Sequence, residues 1–429
     1  MKHTSWMLQS WLYGVVTIWT SSALASAFHV HTISLREYGP SIHQSPSFRI
    51  RTCITAQSDD NATGGKIPND ASDNNKQSAP DRTIVDTSTL TLLEHVNLNV
   101  PSQEHIIPFY LELLGFGLDP RKAINFDPNK RKSQTIWVNC GASQFHMPYG
   151  ETAQRIPGSI GLRYDSLTSL KRRLNELSKT TNDIMGLQEF DILTDPRTQR
   201  DYVRMVDVYG NVFFCRESID SSYDRDVVFT NGVQQKLRQP IIGPHDTDEW
   251  GDYATKYGLL ESECRGIDYV EFNCPVGSAD KIALFYESVF DATTTVVQQE
   301  VKDGNGRSVM IKIAIIAIGE IDDVGKANQS LLFRETTETS LLPPSHDGHH
   351  VALYVGTNRA DFEQAFKNAD IAGVVWVNPR FSDKATTLET ARELKQFRFK
   401  DIVDMETGDV VMELEHEVRS VDHDAFPGN

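Results

Sequence analysis

Cysteine is scarce in this chain. Five residues in 429, an odd number with no dense spacing, exclude a disulfide scaffold and indicate reduced thiols. Glycine (27) and proline (18) are too few for a collagen-like chain, and 39% hydrophobic with 24% charged residues suits a soluble globular protein rather than a coiled coil or a polytopic membrane protein. No run spans a bilayer comfortably: Trp11 to Leu24 is uncharged and largely apolar, but Thr17, Thr20, Ser21 and Ser22 interrupt it. Positive charge is also short, with 42 Lys and Arg against 59 Asp and Glu, a formal net charge of -17. Residues 1–57 hold Lys2, Arg36, Arg49 and Arg51 against Glu37 alone, a net of +3, so the remainder carries -17 - 3 = -20. Nucleic-acid phosphate and anionic lipid repel so acidic a body, which excludes both as expected partners. The length allows two to three domains.

The N-terminus has its own texture. Residues 1–27 are expected to be a signal peptide: Lys2 supplies the positive start, Trp11 to Leu24 the apolar stretch, and Ala25-Ser26-Ala27 a small-x-small cleavage site. Phe28 to Gln57 follows, rich in Ser, His, Thr and Arg with one acid, the composition of an organellar transit peptide. The succession through Ala25-Ser26-Ala27-Phe28 resembles the bipartite plastid presequence of algae with complex plastids. That resemblance implies entry by the secretory route, residence in the chloroplast stroma, and no stable membrane association after processing. Residues 58–88, rich in Asp, Asn, Ser and Gly with almost no apolar periodicity, are expected to be a disordered linker.

From Leu92 the chain repeats. Leu93 to Val100 alternates, with His95, Asn97 and Asn99 on one face and Val96, Leu98 and Val100 on the other, as in a half-buried strand. A helix ending at Phe109 to Phe116 and strands at 134–140 and 143–147 follow. A second unit runs from Gly158: strand 159–164, helix 167–177, then strands near 190–193, 202–207 and 211–216. Ile267 to Pro275 begins a third unit with a helix through Phe285 to Phe290 and strands at 309–318 and 329–334. A fourth has strand 350–355, helix 359–369 and strands near 374–377, 397–403 and 410–414. A long-period repeat of this kind outranks any single motif.

Strand, helix and three strands taken four times resemble the glyoxalase/bleomycin-resistance, or vicinal oxygen chelate, family. The resemblance is carried by the His95-Val96-x-Leu98 strand, the Phe109-Tyr110 to Gly115-Phe116 helix end, the Gly210-Asn211 turn and Gly348-His349-His350-Val351-Ala352-Leu353. It implies an α+β fold of tandem domains, residues 90–218 and 262–420, whose four βαβββ modules form half-open β barrels. Residues 219–261 are then an inter-domain linker and 421–429 a tail. Family members include lyases, isomerases, dioxygenases and metal-free binding proteins, so the likeness speaks for fold more than for chemistry.

The resemblance implies metal ligands on the first and last strands of each module. The first module offers His95 with Gln144 or His146; the fourth offers His350 and Glu413. The second and third offer Ser159, Phe214, Tyr269 and Leu332, which do not suit a catalytic divalent metal. Glu413 is favoured over Met412 because Val410, Met412 and Leu414 form the apolar face of their strand, leaving Val411, Glu413 and Glu415 to the cup. Four-module relatives that pair first with fourth would gather His95, Gln144 or His146, His350 and Glu413 into one site for one divalent ion, Zn, Fe, Mn, Ni or Co. Each histidine has a plainer alternative as a hydrogen-bonded strand residue, and Glu413 as an edge carboxylate. Cys140, Cys215 and Cys274 read as small core residues, and His349 as facing away from the cup. Arg398 and Lys400 are expected to point into the cup toward an anionic or enediolate-forming substrate, with Tyr354 and Asn97 lining it. The implied function is metal-dependent lyase or isomerase chemistry on a small molecule, with Glu413 as ligand or base. A ring-cleaving dioxygenase and a metal-free binding protein are the alternatives, in a monomer or homodimer.

Overall fold

The computed structural model describes residues 84–119, 135–179, 186–196, 198–218, 262–303, 306–323, 325–342 and 347–426. The expected signal and transit peptides and the 219–261 linker lie outside the described residues. The strands in chain order are β1 (Ile84–Thr87), β2 (Leu90–Asn97), β3 (Gly117–Leu118), β4 (Thr135–Cys140), β5 (Ser143–Pro148), β6 (Gly158–Tyr164), β7 (Leu187–Thr194), β8 (Asp201–Asp207) and β9 (Val212–Glu217). After the linker come β10 (Cys264–Pro275), β11 (Thr294–Lys302), β12 (Ser308–Asp322), β13 (Ala327–Thr336), β14 (His350–Val355), β15 (Val375–Trp376), β16 (Gln396–Val403) and β17 (Val410–Ser420). The helices are α1 (Thr168–Leu177), α2 (Ala279–Phe290), α3 (Arg359–Ile371) and α4 (Leu388–Leu394), with a π-helical segment at Ile107–Leu113. The fold is α+β, mostly strand, and neither sheet closes.

Sheet order decides where the site can be. One sheet runs β15-β16-β17-β14-β2-β5-β4-β3, and the other β1-β12-β13-β10-β6-β9-β8-β7, with β11 on β12. Strands from residues 90–148 thus join strands from 350–420 in the first sheet, and strands from 158–217 join those from 264–336 in the second. Each sheet draws on both the 90–218 and 262–420 stretches. The stretch expected to be a linker ends in a strand: Ile84–Thr87 forms β1 on the edge of β12.

Alternation explains the packing. Val96, Phe145, Val351, Phe397, Phe399 and Leu414 of the first sheet join one apolar core with Ile160, Leu162, Val270, Phe272 and Phe333 of the second. The helices complete it through Leu170 and Leu174 of α1, Ile282, Phe285 and Val289 of α2, and Phe362 and Phe366 of α3. Burying each such side chain contributes about 1.5–3 kcal/mol. Cys140, Cys215 and Cys274 are free thiols inside this core. His349 lies on the core side, stacked on Phe272 with 6.1 Å between centroids, away from the cup. His416 is there too, between Tyr286 Oη and the Leu414 carbonyl and stacked on Phe399. The polar faces of β2, β5, β14, β16 and β17 line the opposite side, and this is the candidate site.

Candidate metal centre

Registers across the first sheet bring the two histidine strands together. β14 runs antiparallel to β2, with His350 opposite Asn97 and Ala352 opposite His95. β5 lies parallel to β2, with Gln144 beside His95 and His146 beside Asn97. β17 lies parallel to β14, with Glu415 beside His350 and Glu417 beside Ala352. His95, separated from His350 by most of the chain, therefore sits diagonally across one strand junction from it. Their ring centroids are 5.6 Å apart. His95, His350 and Glu417 are 0%, 2% and 4% exposed, and each offers a ligand atom within 4.8 Å of the others. Among the described residues this is the only such group of three.

The donor set fits a divalent metal. His95 Nδ1 lies 3.1 Å from Glu94 Oε2. A carboxylate only accepts, so Nδ1 carries the proton and Nε2 keeps its lone pair. That Nε2 is buried and has no protein partner; His350 turns its Nε2 toward Glu417 Oε2 at 3.7 Å, and its Nδ1 is buried without a partner. Unpaired polar atoms deep in a protein cost about 1–3 kcal/mol each, and a metal would satisfy lone pairs of this kind. Glu94 reaches the cup through a bulge: Ala352 faces His95 while Leu353 faces Leu93, so Glu94 is the extra residue and strict alternation fails there.

A buried ionic chain fixes the carboxylates. Arg398 donates through Nε to Asp383 at 2.6 Å, through Nη1 to Glu415 at 2.9 Å and through Nη2 to Glu417. Arg419 bridges Glu417 and Glu94. Asn378 Nδ2 donates to both Glu415 oxygens at 3.0 and 2.8 Å. In these pairs Arg398 and Arg419 meet four carboxylates, and Arg380 is a further cation acting on Glu415 and His350. Burial would raise the Glu417 carboxyl, but Arg419 and Arg398 outweigh it and hold it well below the usual carboxylate range. Burial acts the same way on Glu94, and there too Arg419, aided by the His95 hydrogen bond, prevails and lowers the carboxyl. Glu415 is raised by burial. Burial also pushes His350 and His146 well below ordinary imidazole, with Arg398 adding to the effect on His350 and His95 to that on His146. Both rings are therefore neutral at pH 7, the form in which imidazole binds metal.

The residues expected from sequence divide at this point. His95, His350 and Asn97 stand together in the cup. His146 occupies the place in its half that Glu417 occupies in the other, two residues beyond the register partner of the strand histidine. Its ring lies in a stack, 3.8 Å from His95 and 4.3 Å from Trp137 between centroids. Gln144 donates to Asp119 at 2.9 Å and Asn139 at 2.6 Å and accepts from His146 Nε2 at 3.0 Å. Neither is in the trio. Glu413 is on the cup-facing side of β17 but opposite Asp401, ion-paired to Lys400. The carboxylate beside the histidines is instead Glu417, because β17 continues to Ser420 and its register puts 415–417, not 413, level with His350. Arg398 and Lys400 are not free cations, since each is held by carboxylates. Tyr354 is fully buried between Leu92 and Phe426, with its hydroxyl 3.4 Å from Arg419 Nη1. Glu94, Glu417 and Arg419 were not singled out from sequence.

The second sheet has the corresponding strand junction with no histidine on β6 or β10. Glu271 faces Ser159 and Tyr269 faces Gly161, where an added Cβ would lie 2.1 Å from Tyr269 Cε1. The ring thus fills that floor, ringed by the Arg163–Asp268, Arg216–Asp268 and Arg334–Glu271 ion pairs.

No protein-family model and no curated protein matches the chain. Among solved structures, glyoxalase I from Zea mays is 12% identical, with a TM-score of 0.41 over 78% of this chain and 93% of that one. A putative dioxygenase from Bacillus subtilis is 13% identical, with a TM-score of 0.42 over 77% and 85%. The 2,2',3-trihydroxybiphenyl 1,2-dioxygenase from Sphingomonas wittichii is 12% identical, with a TM-score of 0.23 over 77% and 90%.

Proposed function

We propose that the chain is a metal-dependent enzyme of the vicinal oxygen chelate type. It would act on a small substrate with two neighbouring oxygens, as a lyase or isomerase working through an enolate or enediolate. The observation that carries this is the trio His95, His350 and Glu417, with a lone pair of His95 fixed toward the cup by Glu94 and left unpaired. A divalent ion, Zn, Fe, Mn, Ni or Co, would polarise the substrate oxygens and stabilise the charge that develops on them. The chain's own groups do the rest. Glu94 and Arg419 hold His95 and Glu417 in place, and the β2–β14 floor excludes water. Glu417 is too strongly stabilised as a carboxylate by Arg419 and Arg398 to serve well as a base, and acts as a ligand. His146, whose Nε2 donates to Gln144 Oε1, stacks on His95 and helps keep that ring in place.

A second reading is ring cleavage by a ferrous dioxygenase. Two histidines and one carboxylate are the ligand set such iron takes. Deuterium exchange at the carbon-bound hydrogens of hydroxyacetone in D2O, dependent on added metal and lost in His350→Ala, is the expected result for the first reading. Oxygen uptake with catechol by the iron-loaded chain, without that exchange, would replace it with the second. We place the enzyme in the plastid stroma, on the strength of the Ala25 to Phe28 junction and the basic stretch behind it. It would work there as a monomer or homodimer.

A further inference from the structure

Three buried polar atoms on residues of the cup have no protein partner: His95 Nε2, His350 Nδ1 and Asn97 Nδ2. The first two belong to imidazoles, whose lone pairs a cation can take up. The third is different in kind. An amide N–H is a donor, and a metal ion offers it nothing. Asn97 is 5% exposed, lies directly opposite His350 on β14 and beside His146 on β5, and shares the cup face with His95 two residues before it. At the equivalent place in the other half of the cup, Ala352 offers only a methyl group. The floor therefore presents one donor, on one side, next to the proposed metal position.

Resting on the metal reading above, we infer that Asn97 is a substrate-orienting residue. Its amide donates to an oxygen of the substrate that neighbours the oxygen taken by the metal. The ligand class is a molecule with two vicinal oxygens of which one keeps an acceptor lone pair free for Asn97: a hydroxyketone, a hydroxamate or a diol bound as its alkoxide. Because Ala352 cannot make this bond, the two faces of the cup differ and the substrate is held in one of two otherwise similar orientations.

The test is a binding measurement on the full chain loaded with cobalt(II), using acetohydroxamate as the probe. The visible cobalt bands report metal occupancy, and their change on titration reports the probe. Asn97→Ala is expected to keep one cobalt and its unliganded spectrum, and to bind acetohydroxamate about tenfold more weakly, the effect of one buried hydrogen bond. Asn97→Asp replaces a donor by a charged acceptor and is expected to bind it more weakly still, while Asn97→Ser, which keeps a hydroxyl donor, recovers part of the loss. Unchanged affinity in Asn97→Ala or Asn97→Asp overturns the inference. So does loss of cobalt from Asn97→Ala, which would make the residue a support of the metal rather than of the ligand. Wild-type protein that takes up no cobalt overturns the metal reading itself, and this inference with it.

Discussion

Arg419 is the residue whose removal tests the ionic chain most severely. It bridges Glu94 and Glu417. Burial opposes the charge on its guanidinium, but those two carboxylates, Glu417 foremost, raise it well above its ordinary value. Arg419→Met keeps the length and apolar bulk of the stem. It leaves Glu94 without its cation and Glu417 with Arg398 alone, at side-chain exposures of 10% and 5%. Removing one partner of a buried pair costs about 3–5 kcal/mol, because the abandoned charge stays out of water. Unfolding entropy of about 2 cal/mol/K per residue, over roughly 300 folded residues, gives about 0.6 kcal/mol/K, so the midpoint should fall by about 5–8 °C. Scanning calorimetry with a chelator present reads this directly. Adding a divalent ion should return part of the loss, since the ion replaces the missing positive charge. A fall of less than about 1 °C with chelator would refute the premise that Glu94 and Glu417 are buried as charged groups.

The histidines make a pH test. His146 and His350 are held neutral below their unfolded value near 6.5, so the unfolded state binds protons that the native state does not; stability is full above that pH and is lost as pH falls below it. Each such group gives up to about 1.4 kcal/mol per pH unit, and His350→Gln should lower the slope of metal-free protein by up to about that amount between roughly pH 6.5 and 5; an unchanged slope would contradict the burial of that ring. Glu417→Ala is expected to lower metal affinity by more than about 100-fold while Glu413→Ala changes it less than about threefold, read by competition with a chromophoric chelator, and equal effects would move the ligand along β17. Residues 1–57 fused to a fluorescent reporter should deliver it to the plastid, and Phe28→Ala should stop import; secretion of the unmodified fusion would defeat the plastid assignment.

Much of the fold was legible because periodicity changes sharply from 2 to 3.6 along the chain. Val309 to Ile318 and His350 to Val355 announce their strands by apolar content alone. β11 did not, since Thr294 to Lys302 is polar and gains its place only by pairing along β12. The histidine strands were legible as a repeated His-Val pair. The carboxylate was not, because its identity depends on the parallel register of β14 and β17, which no local pattern encodes. Face alternation put Glu413 and Glu415 on the cup side, where Glu417 also lies, but alternation alone gives no position along the strand. Glu94 was hidden by the bulge, and Arg398 and Lys400 looked like free cations because their partners, Asp383, Glu417 and Glu413, come from other elements or a later part of the hairpin.

The most direct test of the central claim is metal stoichiometry. Elemental analysis with titration would be made on the full chain and on His95→Ala, His350→Ala and Glu417→Ala. The trio expects one divalent ion per chain, with each of the three substitutions abolishing it, although the residues lie on three strands and His95 is distant in sequence from the other two. Protein that remains metal-free in Zn, Fe, Mn, Ni and Co solutions would contradict it, as would His95→Ala and His350→Ala variants that each keep a full ion.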